Sequence, residues 1–383
     1  MPRNYGGAAA GSDPFVFLPD GALDQWIAAR SAARLCPVAF IGDSITRGAS
    51  ATGFSDNHFV ALVTRALQAQ FGNAGEGFHA VSDTTDAAYA GATNYSAKSR
   101  PCWSFGPGWS GYFAYGMAGQ AHTTTAGAGS YAVGAFIGTA VDVWVGQNGG
   151  GGAFSVQVDG VTYDVNGVQG GGGGNPSCYN GSIVSPVKAV SVSGLTPGAH
   201  TITLTTTAGG TLILHGITAY SGLGRGILPY PMGFAGRGVW QTAVNDTADT
   251  PKGSIEFLQP QPKLVVFGHI VNDMQQQIAY DTFAWQARRY CDSARVAGAS
   301  FVFLIPFIGP LAGNWLNTSY AHHYVDRIYS LARRYGAAVL DINAAWEALG
   351  AAGSAALTFG GGNSHPNDAG HADIAARLSG LLI

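Results

Sequence analysis

The chain has 383 residues, 46% of them hydrophobic and 11% aromatic, which is enough apolar material to fill a core and excludes a disordered chain. Only 11% are charged and the formal net charge is −3, so we expect no basic surface for nucleic acid. The opening residues MPRNYGGAAAGSDPF contain no apolar run, which predicts no signal peptide, and no stretch of about 18 apolar residues predicts a membrane span.

Strands and helices alternate in the first and last parts of the chain. PVAFIG (37–42) is a short apolar run that predicts a buried strand, and NHFVALVTRALQAQFG (57–72) has helical spacing with a glycine stop. The later segments follow the same alternation, with strands predicted at 263–269, 300–309 and 337–342 and helices at 280–298, 319–336 and 368–382. Apolar strands separated by helices predict a parallel sheet that is covered on both faces.

The middle of the chain has a different pattern. Residues 105–222 alternate polar and apolar positions with period two and are rich in Val, Thr, Ile and Tyr, which predicts a β-sandwich or jelly roll. VDGV and AGGT are candidate hairpin turns. We therefore predict an α/β domain formed by 1–104 and 223–383, interrupted by an all-β module at 105–222 that is a candidate carbohydrate-binding unit.

Metal and nucleotide sites are not predicted. The sequence has no HExxH, no CxxC pair and no compact His/Asp cluster, and its glycine runs lack the context of a phosphate-binding loop, so no metal and no cofactor is expected. Cys36, Cys102, Cys178 and Cys291 are widely spaced. Cys102 and Cys178 both lie in loop-like sequence and either form a disulfide or stay unpaired, like the other two.

FIGDSITRGAS (40–50) is the segment with the clearest chemical content. A buried strand ends at Gly42, and Asp43 and Ser44 follow in the turn. The carboxyl ends of parallel strands form the ligand crevice of an open α/β sheet, so Ser44 stands where a nucleophile is expected. The alternative is an ordinary Asp-Ser turn or helix cap.

GDSITRG resembles the first sequence block of the SGNH (GDSL-type) hydrolases, an esterase family. The resemblance implies a flavodoxin-like three-layer α/β/α domain with a parallel sheet, here with an inserted jelly-roll-like module. It also implies that Ser44 is the nucleophile and that its backbone N–H forms part of the oxyanion hole, with Asp43 in a supporting position. The segments that match the family blocks are distributed over the α/β portion of the chain, and none lies in the β module.

The second and third blocks of the family supply oxyanion donors. FAGRGVWQT is similar to the second block of polysaccharide acetylesterases, which implies a role for Gly236, with Gly238 as the second choice. Either glycine could instead serve only a turn. The third block, normally G-x-N-D, corresponds to GHIVNDM (268–274), where three residues separate Gly268 from Asn272. A β-bulge could still project Asn272 into the crevice, with Asp273 in a supporting position, although Asn-Asp is also a common loop sequence.

HPNDAGHADIA (365–375) is similar to the last block, which implies that His365 is the general base. His371, close to a helix start, is expected to be structural. The family acid stands three residues before the base, and Gly362 occupies that position. The ring of His365 is then oriented by a backbone carbonyl, by Asn363 or by a displaced acid, for which Asp273, Asp341 and Asp368 are the candidates by sequence proximity. A weak or inactive site is the remaining alternative.

The resemblance implies a serine esterase with an acyl-enzyme on Ser44. The second block and the β module favour an O-acetyl ester on a carbohydrate or cell-surface glycan, and the alternatives are a lipid esterase or a glycan-binding protein whose hydrolase domain has decayed. Aromatic residues near the edges of the module stack on sugars or fill its core, including Trp103, Trp109, Tyr112, Tyr115 and Trp144. Low charge and glycine-rich loops suit an extracellular or virion-borne protein, such as a phage tail component.

Overall fold

The computed structural model describes residues 13–31, 34–52, 56–81, 103–112, 121–180, 184–222, 224–239, 255, 258–308, 318–361 and 364–383. These residues belong to two compact units. The first comprises the described parts of Met1–Gly72, Pro231–Ala243 and Ser254–Ile383, and the second those of Asn73–Tyr230.

The strands and helices of the described residues are numbered in chain order. The strands are β1 (Val16–Phe17), β2 (Leu35–Gly42), β3 (Gly77–Ala80), β4 (Ser104–Phe105), β5 (Trp109–Tyr112), β6 (Ala121–Thr124), β7 (Tyr131–Gln147), β8 (Phe154–Val158), β9 (Val161–Tyr163), β10 (Val184–Thr206), β11 (Leu212–Tyr220), β12 (Gly226–Gly233), β13 (Leu264–Gly268), β14 (Ser300–Ile305) and β15 (Ala338–Asp341). The helices are α1 (Asp24–Ser31), α2 (Ser44–Arg47), α3 (Phe59–Phe71), α4 (Val271–Gln275), α5 (Tyr280–Val296), α6 (Thr318–Tyr335), α7 (Ile342–Glu347), α8 (Gly350–Leu357) and α9 (Asp368–Leu382).

A six-stranded sheet organises the first unit, in the order β1-β15-β14-β13-β2-β12. β2, β13, β14 and β15 run parallel to their neighbours among these four, and β1 pairs antiparallel with β15. Without the edge strand β1, the five strands follow one another in space as second, first, third, fourth and fifth along the chain, which is the flavodoxin-like order. The switch point of that order lies between β2 and β13, where a ligand crevice is expected.

The predicted parallel sheet is confirmed in its strands. β13 and β14 are buried at every position, and only the first residue of β2 is partly exposed. Such continuous apolar runs are expected where helices cover both faces of a sheet. The predicted helices are also present, and α9 has the predicted bounds because Asn367 caps it, its Oδ1 accepting from Gly370 N at 3.0 Å.

The second unit is built from antiparallel strands in the order β5-β6-β11-β7-β10-β8-β9, with β3 paired to β11 and β4 to β7. Alternate residues of its strands enter one hydrophobic core, such as Val141, Val143 and Val145 of β7. The described residues of this unit contain no helix. The all-β pattern predicted from period two is therefore confirmed, and its layering as a sandwich or jelly roll stays a prediction.

The β pattern begins earlier than the predicted boundary at residue 105. β3 pairs with β11 from Gly77↔Ala219 to Ala80↔Gly216, so residues assigned to the first part of the hydrolase domain belong to the antiparallel sheet. Four residues, GFHA, are too short to show an alternating pattern in the sequence.

One predicted hairpin is present and the other is not. VDGV joins β8 to β9, with Asp159 and Gly160 at φ 51° and 78°, as a type I′ turn requires. AGGT connects β10 to β11, but these strands lie on opposite sides of β7, so that prediction is wrong. A glycine pair indicates a turn without specifying which strand becomes the partner.

Several module residues have a core role. Trp103, Trp109 and Trp144 are at most 4% exposed, which contradicts the sugar-stacking alternative for them. Tyr115 lies outside the described residues, and so does the side chain of Tyr112. Cys178 is a free, buried thiol, so the proposed disulfide with Cys102, itself outside the described residues, is not supported.

Candidate active site

Ser44 lies directly beyond the carboxyl end of β2, as the first residue of α2. Asp43 caps this helix, its Oδ1 accepting from Ile45 N at 3.0 Å, and Gly48 ends it at φ 94°. A Cβ at Gly42 would overlap the Thr46 side chain, so the glycine lets the helical turn fold back over the strand end. Both readings of the Asp-Ser pair therefore apply, since the segment is a helix cap and also presents the serine at the sheet edge.

The Ser44 hydroxyl meets the ring of His365. Ser44 Oγ and His365 Nε2 are 2.8 Å apart, although 321 positions separate the two residues in the sequence. This is the distance that a general base needs to remove a hydroxyl proton. The structure thus brings together the two residues that the sequence predicted as nucleophile and base.

Backbone pairing fixes the segment that carries His365. Phe359 N donates to His365 O at 2.9 Å, and Thr358 forms an antiparallel bridge with Pro366. Asn367 adds a side-chain bond, its Nδ2 donating to Ala356 O at 2.9 Å. The flexible composition of this glycine-rich stretch is therefore compatible with a defined position for the base.

Burial lowers the pKa of His365 from its usual value of 6.5. The lowered pKa favours the neutral imidazole, in which one ring nitrogen can accept a proton from Ser44. This state is the one required of a general base.

The three acids considered as partners of the His365 ring each accept hydrogen bonds from other residues. Asp341 accepts from Ala344 N at 2.9 Å and from Tyr329 Oη at 3.1 Å. Asp273 accepts from Val239 N. Gly362 and Asn363 lie outside the described residues, so the role suggested for Asn363 stays a prediction.

Asp368, the third acid, links the base segment to the chain that follows the nucleophile. Its carboxylate accepts from Thr52 N at 2.8 Å and is also bonded by the Thr52 hydroxyl. The residue lies three positions after His365, on the first turn of α9. Asp368 therefore joins the segment after Ser44 to the segment after His365. The sequence suggests Asp368 only as an acid for the His365 ring.

His371 performs a similar structural task in the interior. Its Nε2 lies 3.0 Å from Ala49 O and its Nδ1 accepts from Phe59 N at 3.3 Å, which fixes the tautomer with the proton on Nε2. The ring is fully buried and stacks on Phe59. These contacts agree with the structural role expected from the sequence.

Asp43 has an unusual ionisation. Its pKa is raised to about 7, chiefly by burial and also by the nearby Asp273, while the hydrogen bond from Ile45 N opposes the shift. Its Oδ2 is buried and has no hydrogen-bond partner among the described residues. The raised pKa favours the protonated carboxyl, and a neutral group costs far less to bury than a charged one.

The loop that carries Gly236 follows β12 and lies against the first turn of α2. Phe234 N donates to Gly42 O at 2.8 Å, and a Cβ on Gly233 would overlap the backbone N of Arg47. Gly236 itself has φ 72° and is exposed, so it satisfies the turn role that glycine favours. Its assignment as an oxyanion donor stays a prediction.

Asn272 reaches the sheet edge by a route that differs from the predicted bulge. β2 and β13 pair without a break from Val38↔Leu264 to Gly42↔Gly268, and Asn272 lies in the short helix α4 beyond the strand. The bulge prediction is wrong, because the extra residues form a helical turn and leave the ladder intact. Asn272 is 6% exposed and its Nδ2 donates to Arg237 O at 3.1 Å.

Two residues next to the predicted site residues were not predicted from the sequence. Gln276 Nε2 donates to Gly236 O at 3.3 Å, and Phe359, next to His365 through the backbone, is 52% exposed. Neither belongs to a motif block. The sequence indicates Phe359 only as an aromatic residue shortly before His365.

Among the described residues, no cluster of three or more His, Cys, Asp or Glu side chains is placed to hold a metal ion. The same residues contain no helix that is long and apolar enough to cross a membrane.

Comparisons with known proteins give a likeness in structure only. No protein-family model and no curated protein matches the sequence. A solved peptidoglycan O-acetylesterase is similar over 99% of this chain and 97% of its own, with a TM-score of 0.61 and 16% identity. A two-domain esterase active on acetylated mannans covers 94% of this chain and 52% of its own (TM-score 0.42, 12% identity), and a family two carbohydrate esterase from Clostridium thermocellum covers 68% and 93% (TM-score 0.26, 18% identity).

The likeness in fold rests on the first of these structures, since a TM-score below 0.5 does not indicate a shared fold. The chain shares the fold of that peptidoglycan O-acetylesterase over nearly the full length of both proteins. This shared fold agrees with the α/β unit with parallel strands and the large antiparallel sheet of the chain.

Proposed function

We propose that the protein is a serine esterase that removes O-acyl groups, most simply O-acetyl groups, from a carbohydrate. The observation that carries the proposal is the 2.8 Å contact between Ser44 Oγ and His365 Nε2 at the carboxyl ends of the parallel strands. In this proposal the first unit is the three-layer hydrolase domain and the second unit is a module inserted into it.

The reaction uses His365 twice. Ser44 Oγ attacks the ester carbonyl carbon as His365 Nε2 takes the hydroxyl proton, and the protonated ring then gives that proton to the departing alcohol. Water attacks the acyl-enzyme next while His365 takes its proton, and the ring returns that proton to Ser44 Oγ as the acyl–Oγ bond breaks, which releases the acid and free Ser44. The lowered pKa of His365 supports this role because the ring must be neutral when each half-reaction begins.

Three donors are available for the oxyanion of the tetrahedral intermediate. They are the backbone N–H groups of Ser44 and Gly236 and the side-chain amide of Asn272. An asparagine amide has two N–H donors, so Asn272 can keep its bond to Arg237 O and offer the second one to the oxyanion. Asp43 supports the site by capping the helix that begins with Ser44.

A carbohydrate substrate is favoured over a lipid. The structural likeness to a peptidoglycan O-acetylesterase supports an acetylated glycan. The half-exposed Phe359 beside His365 supports it as well, because an aromatic face can pack on a sugar ring. An acylated cell-surface glycan lies outside the cell, so this function goes with the extracellular or virion-borne location suggested by composition.

Hydrolysis of p-nitrophenyl acetate by the protein and by Ser44→Ala tests the esterase proposal. We expect release of p-nitrophenol by the wild type only. Equal background rates for both would favour the alternative, a glycan-binding protein with a decayed hydrolase domain. A series of p-nitrophenyl esters then compares acyl lengths, and a preference for long chains would replace the proposal with a lipid esterase.

Phe359→Ala tests the carbohydrate part. We expect KM for an acetylated oligosaccharide to rise about threefold to tenfold, the effect of losing one aromatic contact, with no change on p-nitrophenyl acetate. Trp285→Ala is the matched control, since Trp285 is 44% exposed on α5. Equal effects of the two substitutions would contradict a sugar-binding role for Phe359.

A further inference from the structure

Side chains of α4 and of the residue that follows it hold the loop after β12. Asn272, Asp273 and Gln276 bond to three successive parts of the segment 236–239. We call this segment the glycine loop. It contains Gly236, whose N–H is one of the proposed oxyanion donors.

Asp273 makes the central contact. Its two carboxylate oxygens lie 2.9 and 2.8 Å from Val239 N, and the side chain is fully buried. A Cβ on Gly238 would stand 2.7 Å from Asp273 Oδ1, so the glycine at 238 leaves the space that the carboxylate occupies. The same carboxylate raises the pKa of Asp43, the cap residue before Ser44, which places its charge close to the nucleophile.

Two amides complete the arrangement. Asn272 Nδ2 donates to Arg237 O at 3.1 Å, and Gln276 Nε2 donates to Gly236 O at 3.3 Å. Three adjacent peptide groups of the glycine loop are thus bonded to side chains of one short helix and of its C-cap residue. Gly236 needs this support, because a residue at φ 72° with no side chain has few contacts of its own.

We propose that Asp273 and Gln276 are positioning residues that fix the glycine loop, so that the Gly236 N–H and the Asn272 amide form one preorganised oxyanion site. The inference rests on the proposed function, since it assigns the loop a role in acyl transfer. Donors that are held in place before the reaction stabilise the developing charge without reorganising, and small displacements of such groups are costly.

Gln276→Ala is the first variant, because Gln276 is exposed and its removal leaves the core intact. We expect kcat on p-nitrophenyl acetate to fall about threefold to tenfold, the effect of one hydrogen bond, with KM and Tm unchanged. Gln275→Ala is the matched control, an exposed glutamine one position earlier on the same helix. Equal kcat values for the two variants would overturn the role of Gln276.

Asp273→Ala and Asp273→Asn form the second comparison. The asparagine keeps one carbonyl oxygen for Val239 N and should restore most of the kcat that the alanine loses. If the alanine variant folds with an unchanged kcat, or if the asparagine variant is as slow as a folded alanine variant, Asp273 does not act by holding Val239.

Trypsin provides a measurement that does not depend on catalysis. The glycine loop contains Arg237, and cleavage after it should be faster in Gln276→Ala than in Gln275→Ala when the loop is released. An inactive wild type with this difference in cleavage would reject the proposed esterase function and keep the positioning of the loop. Equal cleavage of the two variants, together with equal kcat values where activity is present, would overturn the inference itself.

Discussion

At the edge of the parallel sheet, Nε2 of His365 lies 2.8 Å from the Ser44 hydroxyl, whereas in the antiparallel unit the ring of His200 lies against a carboxylate and a backbone carbonyl. His200 Nδ1 lies 2.6 Å from Asp159 Oδ2 and Nε2 lies 2.8 Å from Thr196 O, so a protonated ring donates to both acceptors.

The two histidines differ in pKa as well as in partners. Burial lowers the pKa of His365. Burial also acts to lower the pKa of His200, but the hydrogen bonds to Asp159 and Thr196 outweigh it and raise the pKa. A histidine beside a carboxylate is thus a structural ion pair in one unit, while the one beside a hydroxyl is the candidate base. Both histidines have shifted pKa values, and their partners, a carboxylate or a hydroxyl, distinguish the ion pair from the candidate base.

The largest expected effect comes from replacing the two histidines in turn. His365→Ala should lower kcat/KM by about 10⁴-fold or more, as loss of a general base does in serine hydrolases, without unfolding the protein. His200→Ala should leave kcat/KM within about twofold, because an ion pair away from the reacting groups does not act in the transition state. Comparable losses from both variants would contradict the division between them.

Asn272→Ala should have the next largest effect on rate. Losing one oxyanion donor costs about 10²–10³-fold in kcat, a smaller loss than the one expected for His365→Ala. The measurement is kcat on p-nitrophenyl acetate beside Ser44→Ala. An Asn272→Ala enzyme with most of its activity, while Ser44→Ala has none, would make the oxyanion assignment wrong.

The buried His371 should make the stability of the first unit sensitive to acid. Burial lowers its pKa to about 4, so the unfolded chain binds the proton more readily between that value and 6.5. The stability it contributes is present above pH 6.5 and is lost as pH falls towards 4, by about 3 kcal/mol at most. Urea unfolding of His371→Gln across this window should show a shallower pH dependence than the wild type, and an equally steep one would contradict the assignment.

His200 should give the dependence of stability on pH the opposite sign and a smaller size. Its raised pKa means that the folded state binds the proton more tightly, so this stabilisation is present below pH 6.5 and is lost as pH rises through the folded value. The Asp159 side chain is 50% exposed and solvent screens the pair, which limits the effect to about 1 kcal/mol. Unfolding of Asp159→Asn should reveal this loss at pH 6, with no difference at pH 9.

The sequence predicted the parallel sheet because its strands are unbroken apolar runs, and it located Ser44 and His365 because each lies at a recognisable motif. It did not predict how α4 delivers Asn272, since three extra residues are equally compatible with a bulge and a helical turn. The tryptophans of the second unit show the same limit, because apolar character does not distinguish core from a sugar-binding face. The contact between Thr52 and Asp368 joins positions that are far apart in the chain, so no local sequence pattern predicts it.

The paired glycines at the ends of β2 and β13 carry a consequence for variation in this protein. Gly42 stands opposite Gly268, and a Cβ at either position would approach the Thr46 hydroxyl, to 3.0 Å in the case of Gly268. Neither glycine has a positive φ, so the requirement is one of volume. A Cβ at position 42 would also lie 2.7 Å from Thr46 Cβ, so alanine there should be accepted only together with glycine at position 46, which makes Gly42 and Thr46 a jointly constrained pair.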